Sequence, residues 1–271
     1  MIWNAKNGRV SMDGTEMCYA SFGRGSEALV LIPGLSDGLA TVAGKALLLA
    51  PPYRMFFGRY TVYMFSRKNG LTEGDSIRGM AADLAAAMRS LGIGRAKVMG
   101  VSQGGMIAQY LAIDHPEMVE RLVLAVTAPR ANAEIRDCVG RWITFAEQGD
   151  HRRLMIDTAE TSYSERFLRR YRRIYPFIGL IGKPRDYRRF IVNARAILGF
   201  DAFGELPKIA CPTLIVGGAE DRVVGAQAAH ALHERIPGSS LFVYPGLGHA
   251  AYEEAGDFNE RIFRFLESAQ Q

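Results

Sequence analysis

Apolar positions along the chain follow two periods in alternation. Continuous apolar runs at 28–32 (ALVLI), 60–65 and 121–126 (RLVLAV) predict strands covered on both faces. A shorter run at 97–100 predicts a strand that ends directly before Ser102, and runs at 213–216 (TLIV) and 241–244 predict two more. Between these runs the spacing lengthens to that of helices. Ile77, Met80, Ala81, Leu84, Met88 and Leu91 fall on one face of a helix over 77–91. The Ala- and Met-rich stretch 104–115 predicts a helix stopped by Pro116, and others are predicted over 227–236 and 257–267. Near the start, 10–12 and 16–21 flank Asp13-Gly14, the signature of a hairpin turn.

Strands alternating with helices imply an α/β fold, a mainly parallel central sheet with helices on both faces. Residues 130–205 break the rhythm: they hold no convincing strand and are dense in arginine and aromatics. They read as a helical cap inserted over the carboxyl ends of the strands, where open α/β sheets bind ligands. The expected organisation is a core of 1–129 and 206–271 with a helical cap at 130–205.

Composition changes this picture little. The 271 residues are 48% hydrophobic and 23% charged, as in ordinary globular domains, and suffice for a large core without covalent staples. No apolar stretch reaches the length of a membrane span, and the first residues lack the apolar core of a signal peptide. Cys18, Cys138 and Cys211 are an odd, scattered set that suggests neither a disulfide framework nor a zinc site. These features point to the cytoplasm. The placement of charge is more telling. Residues 130–205 carry 15 Lys and Arg against 10 Asp and Glu, and the remainder is balanced at 18 of each. The whole net charge of +5 therefore lies in the insertion. A solvated helical surface accounts for it, and no nucleic-acid-binding motif accompanies it.

The chemistry gathers at the predicted strand ends. Gly100-Val101-Ser102-Gln103-Gly104 is a G-x-S-x-G sequence between a strand and a helix, as a nucleophile elbow requires. Residues two before and two after the serine must be small where strand and helix converge, and both are glycine. A serine hydroxyl needs a base. His249, in Gly246-Leu247-Gly248-His249, follows the last strand and so lies at the same sheet edge. His115, His151, His230 and His233 lie in helices or the charged insertion and fit structural roles. The base needs a carboxylate to orient it, and the loop after TLIV offers two neighbours, Glu220 and Asp221. An oxyanion would need two backbone donors. The N–H of Gln103 stands at a helix N-terminus, and the N–H of Leu35 lies in Pro33-Gly34-Leu35-Ser36 after the first buried strand.

These motifs, with the stretches VLIPG, GVSQGGMIAQYLA, HPEMVERLVL, CPTLIVGGAEDRV and YPGLGHA, resemble the α/β-hydrolase superfamily over almost the whole chain outside the insertion. The resemblance is nearest to bacterial esterase, lactonase and perhydrolase-like members with a helical cap. It implies a triad of Ser102, Asp221 and His249 in the chain order of that fold. It favours Asp221 over Glu220, because the acid falls three residues after Gly218. Some relatives carry the acid one strand earlier, where this chain has only Ala125-Val126-Thr127-Ala128-Pro129. Two departures stand out. Pro33-Gly34 replaces the usual His-Gly, and Ser66-Arg67-Lys68-Asn69-Gly70-Leu71 replaces an Asp-x-Arg-Gly-x-Gly-x-Ser pattern that shapes a pocket wall in relatives.

The expected function is a serine hydrolase that cleaves a carboxylic ester, lactone or thioester of a small molecule. Serine-dependent C–C bond hydrolysis and acyl transfer are alternatives, as is a non-catalytic small-molecule binder on the same fold. No cofactor or metal is implied, and nothing in the pattern sets an oligomeric state. Within the insertion, Phe167, Leu168, Tyr171, Ile174, Tyr175 and Ile178 follow helical spacing among five arginines. That stripe either packs the insertion onto the core or, with Ser36, lines the substrate pocket through Tyr171 and Tyr175.

Overall fold

The computed structural model describes residues 2–12, 14–180 and 182–268. Eight strands form one sheet: β1 (Lys6–Met12), β2 (Thr15–Gly23), β3 (Glu27–Ile32), β4 (Tyr60–Lys68), β5 (Ala96–Val101), β6 (Val119–Ala125), β7 (Thr213–Gly218) and β8 (Ser240–Tyr244). Their order is β1-β2-β4-β3-β5-β6-β7-β8. β2 runs antiparallel to β1 and β4, and all pairs from β4 through β3 to β8 are parallel. The expected strands are all present and most are longer than read; the one read at 121–126 starts two residues earlier and stops at Ala125, leaving Val126 outside it at φ 44°. The hairpin pairs Met12 with Thr15. Gly14 takes φ +70°, and Asp13 lies outside the described residues.

Helices cover both faces, which is why the central runs lack the alternation of a half-exposed sheet. On one face, α2 (Ile77–Ser90) and α3 (Gln103–Asp114) lie with α9 (Ala228–Arg235), enclosing Val30, Val98, Leu122 and Leu124. The face read for α2 is the buried one: Ile77, Met80, Ala81, Leu84 and Met88 are all inside. Ser76 caps the helix, its hydroxyl accepting from the Gly79 N–H at 3.1 Å. The other face is covered by α1 (Ala46–Leu49), a 3-10 segment at Pro51–Phe56, α10 (Ala251–Glu254) and α11 (Phe258–Glu267). There Leu29, Leu31, Val62 and Val123 pack with Phe22, Phe56 and Ile262.

The segment between β6 and β7 holds α4 (Ala133–Glu147), α5 (His151–Ser162), α6 (Glu165–Tyr171), α7 (Tyr175–Ile178) and α8 (Arg188–Leu198), and no named strand among its described residues. Its two ends meet. Arg130 bridges to Asp201, the Ala131 N–H donates to the Phe200 carbonyl at 2.9 Å, and Ala202 N–H donates to the Pro129 carbonyl at 2.9 Å. The insertion therefore leaves and rejoins the core through one short stem.

Candidate active site

β5 is buried along its whole length and delivers the chain to Ser102, which caps α3. Ser102 has φ 54° and ψ −120°, a backbone conformation that side-chain-bearing residues seldom adopt. The surroundings enforce it. The Ser102 N–H donates to the Ala125 carbonyl at 2.9 Å, and its carbonyl accepts from the Thr127 hydroxyl at 2.7 Å and the Gly105 N–H at 2.9 Å. The flanking glycines are required by contact: a Cβ on Gly104 would lie 1.9 Å from the Ile32 carbonyl oxygen, and one on Gly100 would lie 2.3 Å from that of Gly104.

Three side chains expected from the sequence come together here. His249 Nε2 lies 2.9 Å from Ser102 Oγ, and His249 Nδ1 lies 2.8 Å from Asp221 Oδ2. Asp221 is 5% exposed, and its Oδ1 accepts from the backbone N–H groups of Val223 at 2.9 Å and Val224 at 3.0 Å. The carboxylate thus keeps partners for its charge although it is out of water. Glu220, the neighbouring alternative, is exposed. His249 is 8% exposed, so the imidazole is shielded with one edge toward the serine and one toward the acid. The remaining histidines lie elsewhere: His115 ends α3 beside Arg89, His151 begins α5, and His230 and His233 lie in α9.

The loop after β3 also arrives beside the serine. A Cβ on Gly34 would lie 3.3 Å from Ser102 Cβ. Leu35 begins a 3-10 turn, Leu35–Gly38, and Gln103 begins α3; at the first position of a helix the N–H has no acceptor within the helix. Both candidate donors are therefore free of helical bonding next to Ser102.

The sequence did not reveal what holds this loop. Asp37 and Arg67 are buried together, with side chains 1% and 2% exposed. Arg67 Nη2 donates to the Pro33 carbonyl at 2.7 Å and to Gln103 Oε1 at 2.9 Å. Burial pulls the guanidinium down to about 10, and the Asp37 carboxylate opposes that shift, so Arg67 is charged at neutral pH. Arg189, from α8 of the insertion, donates to Asp37 Oδ2 at 2.8 Å and to the Arg67 carbonyl at 2.8 Å. Gln103 Nε2 donates to the Asn193 carbonyl, also on α8, at 2.9 Å. A second tie joins the insertion to the histidine loop, where the Ala250 N–H donates to the Ser162 carbonyl at 2.9 Å and Ser164 bonds to Glu254. Ser162 is also why Gly248 must be glycine, since a Cβ there would lie 2.8 Å from the Ser162 carbonyl oxygen.

The aromatic stripe makes its contacts within the insertion and toward α10. The rings of Tyr163, Phe167 and Tyr171 stack at centroid distances of 4.2 and 3.9 Å, and Tyr163 bonds to Glu253. Tyr171 is 41% exposed, while the Tyr175 hydroxyl donates to Glu160 at 3.0 Å. Leu168 and Ile178 are the buried members of the stripe. Ser36 lies exposed on the loop after β3. None of these side-chain contacts reaches Ser102 or His249. Among the described residues no group of three or more His, Cys, Asp or Glu side chains is arranged to hold a metal ion, and no helix is long and apolar enough to cross a membrane.

Comparison with known proteins identifies the family. A family model described as the alpha/beta hydrolase family matches residues 29–261. The chain is 25% identical over 245 residues to a protein of Caulobacter sp. (strain K31) provisionally named carbamate hydrolase RutD, covering 86% of this chain and 89% of the relative. It is 28% identical over 276 residues to the 2-hydroxy-6-oxononadienedioate/2-hydroxy-6-oxononatrienedioate hydrolase of Burkholderia vietnamiensis (strain G4 / LMG 22486), covering 94% and 92%. Among solved structures, the enol-lactonase of Burkholderia xenovorans LB400 superposes with a TM-score of 0.80 at 21% identity, over 96% of this chain and all of that one; at that identity the likeness is one of fold. By its sheet order, its strand–helix alternation and the span of the family match, the chain belongs to the alpha/beta hydrolase family and is a hydrolytic enzyme.

Proposed function

We propose that this enzyme cleaves a carboxylic ester, lactone or thioester of a small molecule through an acyl-enzyme on Ser102. The observation that carries the reading is the unbroken chain Ser102 Oγ to His249 Nε2 at 2.9 Å and His249 Nδ1 to Asp221 Oδ2 at 2.8 Å, on a strained elbow. In this mechanism His249 takes the serine proton as Oγ attacks the carbonyl carbon. The Leu35 and Gln103 N–H groups form the oxyanion hole that receives the negative oxygen. Collapse expels the alkoxide or thiolate, which His249 protonates. Water then attacks the acyl group, gives its proton to His249, and Ser102 leaves with that proton restored. Asp221 holds the imidazole tautomer and offsets its positive charge throughout.

Residues 130–205 serve in this reading as a cap, and the core consists of 1–129 and 206–271. The two ties from the insertion, one to the loop of Leu35 and one to that of His249, support it. A second reading has one specific support, the relative from Burkholderia vietnamiensis, which is named for hydrolysis of a 2-hydroxy-6-oxo-dienoate skeleton. Hydrolysis of such a compound breaks a C–C bond, and the same serine and histidine could carry it.

The test is fluorophosphonate labelling of the wild-type protein and of Ser102→Ala, followed by turnover of a panel of short and medium acyl esters, lactones and thioesters beside a 2-hydroxy-6-oxo-dienoate. Labelling confined to the wild type, with turnover of acyl esters, is the expected result. Labelling with turnover of the dienoate alone would favour C–C cleavage. Absence of labelling, or turnover that survives in Ser102→Ala, would overturn the mechanism.

A further inference from the structure

We propose that Arg67 is the positioning residue of the oxyanion hole, holding the Leu35 and Gln103 N–H groups at a fixed separation. The inference rests on the acyl-enzyme reading above and adds to it a residue that touches neither the serine nor the substrate. A single nitrogen makes the connection. Arg67 Nη2 donates to the Pro33 carbonyl, two residues before Leu35, and to the side chain of Gln103 itself. One planar, rigid donor thus spans the two arms, which approach Ser102 from the end of β3 and the start of α3.

The energetics argue against a merely space-filling role. A guanidinium with its side chain 2% exposed has lost its water, and apolar residues of similar volume would fill that space at less cost. Its Nε and Nη1 have no hydrogen-bond acceptor among the described residues, and Nη1 stands 4.0 Å from Asp37. All side-chain hydrogen bonding by Arg67 is therefore directed at the two arms. Its charge is balanced by Asp37, in the same short turn as Leu35, whose carboxylate also accepts from the Arg67 backbone N–H at 3.1 Å. Arg189 and Asn193 close the network from α8, Asn193 Nδ2 donating to the Arg189 carbonyl at 2.8 Å. An oxyanion hole works only when its donors are aimed beforehand at the developing charge, and this network fixes both before substrate arrives.

The experiment compares wild type, Arg67→Lys, Arg67→Met, Arg67→Ala and Ser102→Ala. Fluorophosphonate labelling of wild type and Ser102→Ala first tests the acyl-enzyme reading, independently of Arg67. The acylation rate and the ester dissociation constant are then taken from the burst with p-nitrophenyl butyrate. Affinity is measured for a trifluoromethyl ketone, whose serine adduct carries an oxyanion. Arg67→Met is expected to slow acylation on the order of 100-fold and to weaken the ketone by a similar factor, leaving the ester dissociation constant within about threefold. Arg67→Lys should fall between, because a point charge can serve one arm and not both. Guanidinium at low concentration should restore part of the acylation rate in Arg67→Ala and none in Ser102→Ala. Folded Arg67→Met with wild-type acylation and ketone affinity, whatever its melting temperature, would overturn the proposal. Should the Arg67 variants not fold, Gln103→Met removes the acceptor and keeps the N–H; the same paired loss is expected there, and wild-type acylation in that variant would overturn the proposal.

Discussion

Thr127 Oγ1 donates a 2.7 Å hydrogen bond to the carbonyl oxygen of Ser102, from the turn that follows β6. The contact braces the strained serine from the neighbouring strand. The Thr127 side chain also fills the space over Gly105, where a Cβ would lie 2.6 Å from its methyl carbon. Thr127→Val keeps the shape and removes the donor. It should lower stability by about 1 kcal/mol, the usual net worth of such a bond, and Thr127→Ser should retain most of it. Urea unfolding of the three proteins checks the order.

Loss of either of the two groups behind Ser102 should separate the roles assigned above. His249→Ala should reduce kcat by on the order of a millionfold, and Asp221→Asn by roughly ten-thousandfold, as in serine hydrolases of other folds. Adding the second substitution to the first should cost little more, because the three groups act as one unit. Steady-state kinetics on singles and the double settle this; additive losses would separate Asp221 from the histidine.

Even alanine is excluded at the elbow. Because the added Cβ of Gly104→Ala would meet the Ile32 backbone at 1.9 Å, strand and helix must part. The expected cost is about 3 kcal/mol or more, with activity lost in parallel. Gly140→Ala, inside α4 with open space around the added carbon, should leave activity unchanged and raise stability by up to about 1 kcal/mol. Thermal melts and turnover of the two variants provide the comparison.

Acid should weaken one long-range tie. Arg78 on α2 bonds Asp114 at 2.8 and 2.9 Å and Glu205 at 2.9 Å, joining α2 to the end of α3 and to the segment before β7. The hydrogen bonds from Arg78 and then Lys208 hold the Glu205 carboxyl down at about 2, against an ordinary 4.5. A depressed folded value means that the stabilisation is fully present above about pH 4.5 and is lost as pH falls toward 2. Wild type should therefore lose urea resistance more steeply over that window than Glu205→Gln. Salt should narrow the difference, since the pair is partly exposed.

What could be read from the sequence was whatever a short window contains. The buried strands announce themselves as unbroken apolar runs, α2 as a face of six residues, and the elbow as glycines flanking Ser102 on both sides. The segment at Ala46–Leu49 and Pro51–Phe56 escaped because four- and six-residue helices are too short for an apolar face to recur at i, i+3/i+4 and i+7. The buried ion network escaped for another reason. Asp37, Arg67 and Arg189 are 30 and 122 residues apart, and each alone looks like surface charge. Arg189 in particular belongs to the basic excess that the charge pattern assigns to a solvated face, although its guanidinium is turned inward onto Asp37. The only local hint was negative: Arg67 sits where relatives carry a different pattern. The aromatic stripe was legible as periodicity, but its partners were not, since spacing sets which side chains share a face and not what that face meets.

The stem at Pro129–Ala131 and Phe200–Ala202 has a consequence for how such a protein can diversify. The two strands it joins, β6 and β7, are hydrogen-bonded neighbours, and the stem is zipped by its own backbone. The pairing of β6 with β7 is therefore anchored at two adjacent points, whatever the length of the chain between them. Lengthening a closed loop adds entropy cost only slowly. A cassette of different size or sequence can be exchanged at this stem without disturbing strand register. The constraint on any replacement is local: it must again present a partner for Asp37 and a carbonyl for the Gln103 side chain on one side, and a carbonyl for the Ala250 N–H on the other.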